Sequence, residues 1–174
     1  MARAPPDQTS PIFAQIQTGE QRSQGVELDV AAELSPGWSA IATYAYTDAR
    51  VTADNTFRVG NRMPNVARNA GSLWSRYDFM EGLLKGFGVG LGVFAVGERA
   101  GDLANTFELP GYVRLDGALY YRRPEIFAKT NLYAQVNFMN LTNTDYYAGS
   151  QASRNFITPG APLSVIGSIK LEFY

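Results

Sequence analysis

The sequence contains no cysteine and no histidine. The first absence excludes disulfides, thiolate metal sites and cysteine nucleophiles. The second removes the usual general base, the commonest zinc ligand and the Ser-His-Asp arrangement. The sixteen Asp and Glu are scattered singly between strands, with no clustered spacing for paired-carboxylate chemistry. No catalytic residue, metal site or cofactor is therefore expected, and the chain is read as no enzyme. A net charge of −1 gives no electrostatic reason to expect nucleic acid as a partner. Charge is sparse too, at 18% of residues, against roughly 25% in an average soluble domain. No run approaches the ~20 apolar residues of a membrane helix, and the opening "MARAPPDQTS" lacks the apolar core of a secretory signal. The chain is thus expected either to stay inside the cell or to belong to a longer precursor.

What is abundant is apolar and aromatic: 45% and 13% of the 174 residues, with ten Tyr and ten Phe. Period-2 alternation recurs along the whole length, while no segment sustains a 3.6-residue apolar period. Val26, Leu28, Val30, Ala32 and Leu34 alternate with Glu27, Asp29, Ala31 and Glu33. The same pattern returns in 38–47, 87–93, 113–121, 132–139 and 163–173. With further strands near 10–18 and 68–78, the count is about eight, most near the ~10 residues that cross a bilayer as a β-strand. The expected fold is all-β, one antiparallel transmembrane β-barrel meander over residues 11–174, with residues 1–10 irregular.

The connections alternate in kind. Those at 34–39, 79–86 and 122–130 are short, whereas 51–68, 98–111 and 141–162 are long and rich in Asn, Thr, Asp, Gly and Arg. Short turns on one rim and long polar loops on the other are the pattern of an outer-membrane barrel. Trp38, Trp74, Tyr77, Phe79, Tyr120, Tyr121 and Phe127 fall near predicted strand ends, where amphipathic rings settle at a membrane interface. Two other readings stay open at this point. A self-contained eight-stranded barrel would be a structural or adhesion protein. A soluble β-sandwich binding module would hold these aromatics in its core.

Three segments resemble one family, the C-terminal barrel portion of TonB-dependent outer-membrane receptors, especially those for siderophores. They are "QTGEQRSQGVELDVAAELSPGWSAIATYAYTDAR" at 17–50, "NRMPNVARNAGSLWSRYDF" at 61–79, and "LPGYVRLDGALYYR" with "NLYAQVNFMNLTNTDYY" within 109–147. The first is similar to a stretch that climbs to a tight outer turn, descends, turns on Pro-Gly and climbs again. The resemblance implies the last eight strands of a 22-stranded barrel, without the plug domain that fills the lumen. It also implies a segment of a receptor and transporter for ferric siderophores, inactive in transport alone, in the outer membrane of a Gram-negative bacterium. Implied partners are a ferric siderophore or similar nutrient chelate, the lipid bilayer and lipopolysaccharide, and the barrel-assembly machinery. TonB would be reached only through a plug segment absent from this chain.

The resemblance places Phe57, Arg58, Arg62, Arg99, Tyr146, Tyr147 and Arg154 in outer loops. There Arg and aromatic side chains suit anionic, planar chelates. Solvated loop residues or lipopolysaccharide contacts are the competing assignment. Glu27, Asp29, Glu33, Arg114, Asp116, Lys170 and Glu172 are expected to face inward. Gly86, Gly88, Gly90 and Gly92 alternate with apolar residues in "GFGVGLGVF". That spacing is not the dinucleotide fingerprint, and the bare stripe is expected to face the plug. At the C-terminus Phe173 is in phase with Ile169 and Leu171, and Tyr174 lies one step beyond. The pair is expected to act as the assembly signal.

Overall fold

The computed structural model describes residues 19–127 and 129–174. The strand expected at 10–18 and the irregular segment 1–10 lie outside the described residues. Seven strands form one antiparallel sheet: β1 (Gly19–Ser35), β2 (Trp38–Asp54), β3 (Asn69–Asp78), β4 (Phe87–Val96), β7 (Tyr112–Phe127), β8 (Thr130–Met139) and β11 (Ser164–Phe173). They lie side by side in chain order, a meander. Two small hairpins interrupt it, β5 (Arg99–Ala100) with β6 (Glu108–Leu109), and β9 (Tyr147–Ser150) with β10 (Ile157–Pro159). β1 and β11 are the outer strands and do not pair with each other. The described strands make a single layer, so the two packed sheets of a β-sandwich are not what this sequence builds.

Register explains the alternation. Ala32 pairs Ala40, Ala40 pairs Ser75, Ser75 pairs Leu91, Leu91 pairs Gly117, Gly117 pairs Phe138, and Phe138 pairs Val165. One residue along, the row reads Glu33, Ser39, Arg76, Gly90, Ala118, Asn137 and Ile166. Directly opposed residues share a face. The first row and its period-2 neighbours Val30, Leu73, Val93, Leu119, Val136 and Ile169 therefore make one continuous apolar face. Much of this face is uncovered: Ile169 is 77% exposed and Leu28 57%. The opposite face carries the charges, and three of its cations are paired along their own strands with residues two positions away. Arg76 pairs Asp78 at 2.8 Å, Arg114 pairs Asp116 at 2.8 Å, and Lys170 pairs Glu172 at 3.1 Å. Two residues on is the same face of a strand. Glu27, Asp29 and Glu33 share that face, with no ion pair among the described residues.

β3, β4, β8 and β11 have 10 residues each, the length that crosses a hydrocarbon layer of about 25 Å. β1 and β2 have 17 and run past the sheet at the long-loop end. Gly19–Gly25 is therefore part of β1, paired with Thr47–Asp54 of β2. Its polar side chains hide the strand from a hydropathy reading because nothing apolar marks the period. At the other end β7 continues to Phe127, so most of the stretch expected as a turn at 122–130 is strand.

The aromatic residues divide between the faces. Trp38, Tyr77 and Tyr121 share the apolar face near the short-turn end, as expected of an interface belt. Trp74 and Tyr120 do not. Both lie on the polar face, in register with Gly92 and Gly88. The Trp74 indole lies over Gly90 and Gly92, whose missing Cβ atoms would collide with its ring. The glycine stripe is thus covered by a neighbouring strand's side chain. Gly86 is not part of it: with φ +90° it closes the turn before β4, a conformation that favours glycine.

Candidate functional site at the long-loop end

Three loops, 55–68, 97–111 and 140–163, gather at one end of the sheet. Here the chain keeps a buried core. Ala49, Val51, Ala100, Leu109, Arg99, Asn140 and Ser150 are all buried. Polar groups inside such a cluster have to be paired, and the side chains expected to meet a ligand supply much of that pairing.

Arg99 is only 4% exposed. Its guanidinium donates to the carbonyls of Tyr147 at 2.6 Å and Ala148 at 2.9 Å and lies 5.6 Å from the Tyr112 ring centroid. Tyr112 stacks on Tyr146 at 4.3 Å, and the Tyr146 hydroxyl accepts from Arg114. Arg62 donates to Glu98 at 3.4 Å and makes a closer ion pair with Glu108. Arg154 donates to the Thr106 carbonyl at 2.7 Å and lies 5.4 Å from the Phe107 centroid. Arg62, Arg99, Tyr146 and Arg154 therefore hold the loops together. Arg58 and the Tyr147 ring are exposed, and the Arg58 guanidinium has no partner among the described residues. Phe57 is half-buried at the foot of the first loop, and its amide donates to Asp54.

Asparagine does the joining that the sequence reading did not anticipate. Asn65, Asn105 and Asn140 all have positive φ, at 63°, 57° and 57°, a region that asparagine tolerates better than most residues. Each turns the chain and then bridges it. Asn140 is wholly buried: its amide donates to Asp116, and its side chain donates to the Thr144 and Ala161 carbonyls and accepts from the Thr144 amide. This is the corner in "NFMNLTNTDYY", and it ties the third loop to β7. Asp54 caps the first loop by accepting from the amides of Phe57 and Thr56. Those donors hold its carboxyl below the ordinary carboxylate range.

No group of His, Cys, Asp and Glu that could hold a metal occurs among the described residues. A family model for the TonB dependent receptor-like β-barrel matches residues 2–143. The chain belongs to that family. Its members are receptors of the Gram-negative outer membrane rather than enzymes. The chain is 37% identical over 168 residues to the metal-pseudopaline receptor CntO of Pseudomonas aeruginosa strain UCBPP-PA14, covering 96% of this chain and 23% of the relative. It is 36% identical over 155 residues to the ferrioxamine B receptor of Salmonella typhimurium, covering 89% of this chain and 22% of the relative. Among solved structures, the siderophore receptor PiuA of Acinetobacter baumannii superposes with a TM-score of 0.70 at 30% identity, over 87% of this chain and 22% of that one. The chain thus spans about a quarter of the length of these curated relatives.

With the family in place the two faces acquire meanings. In an outer-membrane barrel an exposed apolar face meets the membrane, the polar face lines the interior, and long loops stand at the outer rim. The described residues are a section of barrel wall with the loops above it.

Proposed function

We propose that this chain serves a receptor for uptake of ferric siderophores or related metal chelates, contributing barrel wall and part of the outer vestibule that receives the ligand. The observation that carries the reading is the pairing of a continuous exposed apolar face with an ordered loop cluster at one rim, in a chain whose relatives are named as receptors for metal-pseudopaline and ferrioxamine B. Arg58, Tyr147 and Phe57 are the ligand contacts assigned here, because their side chains are the least committed to the loops' own pairing. Arg62, Arg99, Tyr146 and Arg154 shape the rim.

The polar face, with Trp74 seated over Gly90 and Gly92 and Gly88 beside them, is assigned to the plug. Phe173, on the membrane face opposite Thr130, is assigned as the in-phase aromatic of the assembly signal read by the barrel-assembly machinery. Tyr174 lies beyond the strand, where its amide donates to the Lys129 carbonyl at 3.1 Å and its hydroxyl to Glu125 at 3.0 Å. Lipid and lipopolysaccharide cover the apolar face and outer rim, and coupling to TonB passes through a plug rather than through these strands. Transport needs that plug, so a receptor-deficient strain given only these 174 residues is expected not to grow on ferrioxamine B as sole iron source. Growth would overturn the assignment of transport to the larger assembly.

A further inference from the structure

The three outer loops share a set of cross-loop bonds that meets at Asn65. Its side-chain amide donates to the Ser150 carbonyl at 2.9 Å, and its side-chain oxygen accepts from the Ser150 amide at 2.8 Å. Its own backbone amide donates to the Ala100 carbonyl at 2.9 Å. One residue of the first loop therefore binds both of the others. Ser150 Oγ then donates to the Gly101 carbonyl, joining the third loop to the second. Around this point lie the paired Arg62 and Asn105, where the Arg62 amide donates to Asn105 Oδ1 and Asn105 Nδ2 to the Arg62 carbonyl, each at 2.8 Å. The Arg99 fork onto Tyr147 and Ala148 completes the set. Gly149 stands beside the joint, where a Cβ would come within 3.3 Å of Asn65 Oδ1.

These bonds span 35 to 85 positions of sequence, so none of the loops can leave its place without breaking bonds made by another. Loops that merely stand beside each other open separately, whereas groups sharing one set of bonds open together. We propose that Asn65 and Arg99 are positioning residues that make the three outer loops one cooperative body, presenting Arg58 and Tyr147 as a preassembled surface. This inference rests on the reading of the outer loops as the ligand vestibule. A surface ordered before the ligand arrives loses less freedom on binding, which favours affinity and fast capture. Arg99 acts through the third loop: its two donors fix the backbone that carries Tyr147.

The test uses the protein purified from outer membranes in detergent, in the form the cell makes, with hydrogen–deuterium exchange as the main readout. Asn65→Gly keeps the backbone free to adopt positive φ and deletes the side-chain bonds to Ser150. Exchange is expected to rise about tenfold or more in 147–151 and in 99–106 together, while 132–138 in the wall is unchanged. Arg99→Met is expected to raise exchange in the same two segments, and Arg99→Lys, which keeps a donor, to raise it less. A rise confined to the mutated loop, or no rise in either variant, overturns the proposal. The ligand reading is tested separately with iron-loaded ferrioxamine B as the probe. Arg58→Ala and Tyr147→Ala are expected to weaken its binding directly, and Asn65→Gly to weaken it about tenfold through slower association. Weaker binding in the first two with unchanged binding in Asn65→Gly overturns the positioning role. Unchanged binding in all three, with the joint rise in exchange intact, overturns the ligand reading and leaves the loop lock standing.

Discussion

Leu91 in β4 is flanked by paired strands on both sides and is still 55% exposed, whereas Leu109 at the outer rim is 1% exposed. The two leucines belong to regions stabilised by different solvents. In the wall the apolar groups point away from the protein, and the five inner strands pair their backbone on both sides. Such a layer is stable only where hydrocarbon replaces water on its apolar face. At the rim the chain folds as soluble proteins do, with a small buried core and loops tied to each other by side chains. A substitution should therefore be judged by the region it falls in.

Leu109→Ala should be the most damaging change. It opens a cavity in the buried core of the rim, with an expected cost of about 2–5 kcal/mol. The loops should become sensitive to protease from outside the cell while the wall stays inserted, and loss of the whole barrel would break the distinction between regions. Next comes Val136→Arg against Gln135→Arg. These neighbours in β8 face opposite ways, and a charge near the middle of the membrane face costs about 2–4 kcal/mol. Val136→Arg should cut the folded fraction in outer membranes sharply, and Gln135→Arg should not. Equal effects would contradict the assignment of faces.

Gly92→Ala should cost about 1–3 kcal/mol, because its new Cβ meets the Trp74 ring. The cost should largely vanish on a Trp74→Ala background. Thermal unfolding of the two single variants and the double variant would show this coupling, and additive effects would remove Trp74 from the explanation. The smallest effect belongs to Asp54. Its folded-state carboxyl titrates below its ordinary value of 3.8, so the cap it provides is fully present above that value. The cap is lost as pH falls through the lower folded-state value. Exchange at the Thr56 and Phe57 amides should stay protected at pH 5 and rise only in more acid solution. Asp54→Asn should flatten that dependence.

Much of the wall was legible in the sequence because each strand repeats one physical rule. Period two set the faces, loop length separated the two ends, and the phase of Phe173 with Ile169 and Leu171 agrees with the register of β11. The missing parts follow no period. Gly19–Gly25 is strand without apolar marks. Trp74 stands near a strand end, the position of an interface aromatic. Its parity with Ser72 and Arg76, both on the polar face, was the available signal that it belongs inside over the glycines. The rim was the least legible. Arg99 and Arg154 look like free cations in the sequence, but their partners are backbone carbonyls about fifty positions away, and carbonyls leave no trace in composition. Only the repeated asparagines hinted that these loops turn sharply and bond to themselves.

The central claim is that one face of this sheet meets lipid and the other the barrel interior. Because the chain has no cysteine, single cysteines carrying a nitroxide label can be placed along β8 without background. Electron paramagnetic resonance would then compare collisions with oxygen, which concentrates in lipid, and with a water-soluble nickel chelate. The account predicts high oxygen and low nickel accessibility at Leu132, Ala134, Val136 and Phe138, and low oxygen accessibility at Tyr133, Gln135 and Asn137. Accessibility that fails to alternate, or alternates with the opposite phase, would contradict it.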